Sequence, residues 1–204
     1  MKEIGIGLLG FGTVGAGVAE GLLANAGLLA ERLGVKPVLR RIADLDMTGD
    51  RGVTLPDGML TTDATTVIND PSIAVIVELI GGTGIPRELV KLAPAAGKPV
   101  VTANKKMLAE FGHELFPLAA ANNVDLYFEA SVCGAIPIIR SLREGLVGDH
   151  VHSIRGILNG TCNYILTRME NEGLEFDAVL TDAQQLGYAE ADPSTDIDGF
   201  DAAH

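Results

Sequence analysis

Gly10, Gly12 and Gly15 stand at G-x-G-x-x-G spacing in the run GFGTVG (10–15), directly after an apolar stretch over 4–9 and ahead of a helical pattern over 14–26. A strand that turns into a helix at such glycines can hold a pyrophosphate. The first glycine permits the tight turn, the second lets the backbone approach the phosphates, and the third lets the helix pack against the strand; the helix N-terminus adds free N–H groups at the positive end of its dipole. Gly10, Phe11, Gly12, Thr13, Val14 and Gly15 are therefore the expected cradle of a dinucleotide. A second strand over 37–44 closes on Asp44, with Asp46 just beyond. A carboxylate there binds a ribose 2′-hydroxyl and repels a 2′-phosphate, which favours NAD slightly over NADP, while Arg40 and Arg41 keep NADP open.

Further along, Lys105 and Lys106 follow a strand over 99–102 in TANKK (102–106), and Gly82, Thr83 and Thr102 fall at strand ends, where they are expected to bind the cofactor. The carboxylates Glu190, Asp192, Asp196, Asp198 and Asp201 crowd the last stretch, where by themselves they read as a solvated loop. Cys133 and Cys162 stand at no metal-ligand spacing with any histidine, and His113, His150 and His152 are scattered, which disfavours a zinc site.

These groups need a frame to position them. Residues 74–80 form a nearly continuous apolar run rich in β-branched side chains, as a parallel strand covered on both faces requires. Pro86 opens a helix over 87–96 that Gly97 stops; a strand over 99–102, a helix over 103–111 and a strand over 124–129 follow. The alternation predicts a doubly wound α/β parallel sheet of the Rossmann type over 1–134, with ligands at the carboxyl ends of its strands. Beyond 135 the pattern changes to a helix over 136–146, a strand over 152–158 and helices over 162–172 and 176–186. That is the expected beginning of a second, smaller α+β substrate and dimerisation domain, 135–204.

Composition narrows the partners. The 204 residues are 47% hydrophobic, enough to bury a core, and 15 Lys+Arg against 27 Asp+Glu give a net charge of −12 that repels nucleic acid and anionic lipid. Small molecules and sister subunits are the expected partners, with no nucleic acid and no membrane. No apolar run reaches the roughly 18 residues of a membrane span. Two cysteines are too few for a disulfide framework, and the absence of a leader pattern points to the cytoplasm.

Taken in order, GFGTVG (10–15), VELIGG (77–82), GKPVVTANKKMLA (97–109), EASVCGAIPII (129–139), GILNGTCNYIL (156–166) and GYAEADPSTDIDGFDAAH (187–204) resemble the homoserine dehydrogenase family across essentially the whole chain. The resemblance implies an NAD(P)-dependent oxidoreductase that interconverts L-homoserine and L-aspartate 4-semialdehyde on the route to threonine, isoleucine and methionine. It implies that Lys105 lies between nicotinamide and substrate, that Glu190 and Asp196 bind the amino acid, and that Asp201 belongs to the catalytic centre. A lysine four residues after Asp201 would fall at position 205, just past His204. Glu129, Val132, Gly134 and Ile136 match the family's site for a monovalent cation such as sodium, whose hard oxygen ligands suit an alkali ion. Asn159, Gly160 and Thr161 would border the substrate cleft, and a homodimer is expected. Family members run well beyond this length, so the chain corresponds to their N-terminal part. The rival reading is a truncated, catalytically inactive dinucleotide-binding module.

Overall fold

Six strands, β1 (Glu3–Leu9), β2 (Lys36–Ala43), β3 (Leu60–Thr61), β4 (Val75–Glu78), β5 (Val100–Thr102) and β6 (Leu126–Tyr127), form one sheet in the order β3-β2-β1-β4-β5-β6. Every pair is parallel. The computed structural model describes the whole chain, Met1–His204, which divides into two units, Met1–Arg143 and Glu144–His204.

Because side chains alternate across a strand, β1 feeds both faces of the sheet. Leu8 packs with Phe11, Ala16, Ala19, Leu39 and Ile42. Its neighbour Leu9 joins Val67, Ile76, Val90, Val100, Met107 and Leu115 in the other core. Helix α1 (Thr13–Ala24) turns Gly15, Ala16 and Ala19 inward, and such small residues allow close approach to the sheet. The helices α3 (Ala64–Asn69), α4 (Ile85–Ala95) and α5 (Lys105–Ala121) supply the second core. The chain reaches β3 on one side of β1 and returns through α3 to β4 on the other, so the strand order reverses at β1. A crevice opens at the carboxyl ends there, where doubly wound sheets take their ligands.

Several elements depart from expectation. The first helix stops at Ala24, and an exposed α2 (Ala26–Leu33) follows it, ended by Gly34 in a left-handed conformation (φ 69°). Strand β3 and helix α3 arise in a polar stretch with no strong pattern, α3 being capped by Asp63, which accepts from the Thr65 and Thr66 N–H groups. Helix α5 runs to Ala121, through Pro117, because Met107, Gly112, Leu115 and Ala119 keep one buried face along its length. The helix over 136–146 condenses to α6 (Ile138–Arg140) and a wider turn at Ser141–Gly145.

The unit Glu144–His204 is helical: α7 (Gly160–Glu172), α8 (Phe176–Gln185), α9 (Ser194–Ile197) and α10 (Phe200–Ala203). Ile165, Val179, Ala183 and Ala189 form its core. Arg168 ties α7 to α8, gripping both Glu172 oxygens at 2.8 and 2.7 Å and Asp182 Oδ2 at 2.8 Å. No strand forms over 152–158, where Ile154 is 63% and Ile157 72% exposed. A strand exists only against a neighbour that satisfies its backbone groups, and no segment of this unit pairs with it.

Candidate functional site

The glycine run is shaped as its spacing requires. Gly10 has φ 95°, and a Cβ there would lie 2.7 Å from the Leu79 carbonyl group, so only glycine lets β1 end this close to the chain leaving β4. A Cβ on Gly15 would lie 2.1 Å from the Gly10 carbonyl oxygen. Gly12 differs: a Cβ there would meet nothing within 4 Å. It is the N-cap of α1 and offers no side-chain cap, so the first N–H groups of the helix face open space beside exposed Thr13 and Val14. That geometry and dipole suit an anion.

Asp44 is built into this loop. Its Oδ2 accepts from the Phe11 N–H at 2.5 Å and its Oδ1 from the Asp46 N–H at 2.8 Å. A cleft of about 600 Å³ runs past it, lined by Gly10, Gly12, Leu45, Thr62, Ile80 and Ile85 among others. Apolar walls beside a carboxylate suit an adenosine. A second hollow, about 630 Å³, lies between Gly12, Thr13, Asp46, Gly49 and Arg51. Arg51 ion-pairs with Asp46 at 2.9 Å, reaches to 3.8 Å from Asp44, and lies 5.2 Å from the Phe11 ring centroid. The N–H groups of Thr48 and Gly49, followed by the Arg51 charge, hold the Asp46 carboxyl below its ordinary range. Arg40 is instead paired with Glu3 at 2.6 Å. Sequence pattern had no means of finding Arg51, because a loop brings it back to the glycine run.

At the carboxyl ends of β4 and β5, Gly81 and Gly82 are both left-handed (φ 81° and 76°). Asn104 caps α5 by accepting from the Met107 N–H, and its Nδ2 donates to the Gly82 carbonyl at 2.7 Å. Lys105 is the first residue of α5 and is half-buried; Lys106 is exposed and pairs with Glu110 at 3.9 Å. Buried Thr102 closes β5, while Thr83 is half-buried in the turn before α4. Glu129 accepts the Ile139 and Arg140 N–H groups at 2.9 and 2.8 Å. Between them, Cys133 and Ala135 adopt left-handed conformations (φ 48° and 64°) around Val132, Gly134 and Ile136.

In the second unit, Asn159 gathers Asp196, expected to bind substrate, and Asp201, expected in the catalytic centre. Its Nδ2 donates to Asp196 Oδ1 at 2.7 Å and to Asp201 Oδ2 at 2.8 Å, while its Oδ1 caps α7 at Cys162 N. Thr161 donates to the Tyr188 carbonyl at 2.8 Å. Asp196 and Asp201 are half-buried; Glu190, Asp192 and Asp198 are exposed. Burial, then the charges of Asp196 and Asp201, push the Cys162 thiol above its ordinary range. No group of three or more His, Cys, Asp or Glu side chains is arranged to hold a metal ion.

Comparison with known proteins places these features in a lineage. Residues 10–129 match the family described as homoserine dehydrogenase, NAD binding domain, and residues 137–204 match the homoserine dehydrogenase family. A homoserine dehydrogenase of Neisseria gonorrhoeae is 49% identical over 204 residues, covering 100% of this chain and 47% of the relative; one of Bacillus subtilis is 44% identical, with 100% and 47% covered. The crystal structure of a homoserine dehydrogenase from Thiobacillus denitrificans superposes with a TM-score of 0.90 at 49% identity, over 99% of this chain and 47% of that one. A hyperthermophilic archaeal homoserine dehydrogenase in complex with NADPH gives a TM-score of 0.78 at 31% identity, over 98% and 66%. The chain thus spans about half the length of the curated relatives it matches.

Proposed function

The chain belongs to the homoserine dehydrogenase family, and on that premise we propose that it serves the interconversion of L-homoserine and L-aspartate 4-semialdehyde with NAD or NADP. The observation that carries the cofactor half is the open space at Gly12 over an uncapped helix N-terminus, flanked by glycines that the fold itself demands. Held by the Gly10–Gly15 turn and the strand ends, the cofactor would supply the acceptor or donor for the hydride of the alcohol carbon. Lys105, at the start of α5, takes the hydroxyl proton in one direction and returns it in the other. Glu190 and Asp196 hold the substrate ammonium, and Asp201 joins the catalytic centre.

The cofactor preference divides between two neighbouring groups. Asp44 favours the ribose 2′-hydroxyl of NAD, while a 2′-phosphate would draw Arg51 from its ion pairs with Asp44 and Asp46. We propose that NAD is preferred and that Arg51, in place of Arg40 or Arg41, makes NADP acceptable. Glu129, still able to accept beyond its two N–H bonds, and the carbonyls of Val132, Gly134 and Ile136 offer the hard oxygen set of a sodium-like cation. A homodimer in the cytoplasm is the proposed setting: both cysteines are free, and no single helix is long and apolar enough to cross a membrane.

The test follows NAD(P)H absorbance as homoserine is added to this chain extended past His204 to the length of its relatives. Homoserine-dependent reduction is expected, and Lys105→Ala should lower turnover by a factor of about 10²–10⁴ with cofactor affinity little changed. Cofactor binding without homoserine turnover would favour an inactive binding module.

A further inference from the structure

Glu78, the last residue of β4, is fully buried, with none of its surface exposed. A buried carboxylate ordinarily needs a cation or a full set of donors. Here the partners are donors: the Ile80 and Gly81 N–H groups reach Oε1 at 2.8 and 3.4 Å, and the Thr102 hydroxyl reaches Oε2 at 2.6 Å. The bonds continue outward. The Thr102 hydroxyl accepts from the Asn104 N–H at 3.0 Å, and the Thr102 carbonyl accepts from Ser131 Oγ at 3.0 Å. Asn104 in turn holds the Gly82 carbonyl and the first turn of α5. One acid thereby joins the ends of two strands, two left-handed glycines and the helix start that carries Lys105.

We propose that Glu78 is a positioning residue: through Thr102 and Asn104 it sets the Gly81–Gly82 turn and the Lys105 end of α5, the seat of the cofactor's nicotinamide half. This rests on the dehydrogenase reading above. Glycines in tandem have many conformations to lose, so a turn built from them keeps one shape only when its neighbours impose it. Glu78 imposes it from beneath, without touching solvent or ligand. Toward the pyrophosphate loop it reaches only the Ile80 N–H, beside which Gly10 packs, whereas Gly12 and Gly15 meet no group that Glu78 or Thr102 holds.

The two halves of the cofactor can be titrated separately on the 204-residue chain. NADH reports both halves, and ADP-ribose reports the pyrophosphate and adenosine half alone. Glu78→Gln, of equal size, presents an amide where a backbone N–H or the Thr102 hydroxyl now donates; it should weaken NADH about tenfold and ADP-ribose by less than about twofold. Thr102→Val should do the same, the double variant should add little, and Thr102→Ser should restore the ratio. If Glu78→Gln fails to fold, the Thr102→Val and Thr102→Ser pair decides by the same ratio. Equal weakening of both ligands, or of neither, overturns the proposal while leaving the dehydrogenase reading intact. Wild-type chain that binds ADP-ribose but gains nothing from the nicotinamide would overturn both.

Discussion

In the unit Met1–Arg143 the groups proposed to meet a ligand are mostly backbone atoms presented by a sheet, whereas in Glu144–His204 they are carboxylates, two of them held by one amide side chain. The glycine loop is set by contacts so close that an added Cβ at Gly10 or Gly15 has no room. The pair Asp196 and Asp201 is set by two hydrogen bonds from Asn159, itself 9% exposed. A site of the first kind fails when atoms are added; a site of the second kind shifts when charge or a hydrogen bond is removed.

The sharpest break in that comparison is within the glycine loop. Gly15→Val should destabilise the first unit by about 3 kcal/mol or more, because the side chain collides with the Gly10 carbonyl. Gly12→Val should leave the melting temperature nearly unchanged and weaken NADH by about 100-fold or more, since its side chain occupies space that only a ligand fills. Equal melting temperatures for the two variants would show that the loop is not built by close backbone contact. Next in size, Arg51→Ala should weaken NADPH about tenfold and leave NADH within about twofold, as loss of one charged hydrogen bond predicts. Matched losses for both cofactors would remove Arg51 as the 2′-phosphate partner.

The smallest effect probes the second unit. Burial and the neighbouring Asp196 and Asp201 charges raise the Cys162 thiol, so less of it is thiolate at any given pH and its alkylation should lag until the pH passes the ordinary thiol range. Asp201→Asn removes one of those charges and lowers the thiol again. The alkylation rate near about pH 8.5 should then rise about two- to threefold, because burial, the larger cause, remains. An unchanged rate would mean that the Asp201 charge does not reach the thiol.

What pattern reveals is what repeats locally. The glycine spacing and the apolar strands were legible because each depends on residues a few positions apart. Helix α5 runs on past the expected residue 111 because its buried face, through Gly112, Leu115 and Ala119, is set by the core it meets and not by local pattern. The strand expected over 152–158 has the right residue types, yet a strand is a relation between segments and its own residues cannot supply the other half. Arg51 and Glu78 escaped for the same reason, as did the bonds that Asn159 makes. Glu78 meets Thr102 across 24 positions and Asn159 meets Asp201 across 42, so no window of sequence contains either pair.

The two outermost strands of the sheet, Leu60–Thr61 and Leu126–Tyr127, have two residues each, while the seven of β1 and the eight of β2 lie inside. The stub Leu60–Thr61 pairs only Ile42 and Ala43, so the outer edge of β2 from Lys36 to Arg41 has no strand beside it. Pro37 and the cations Lys36, Arg40 and Arg41 stand along that open stretch, the kinds of residue with which a sheet edge resists pairing with another chain. Charge and a missing donor, in place of a covering strand, guard concentrated protein against edge-to-edge association there.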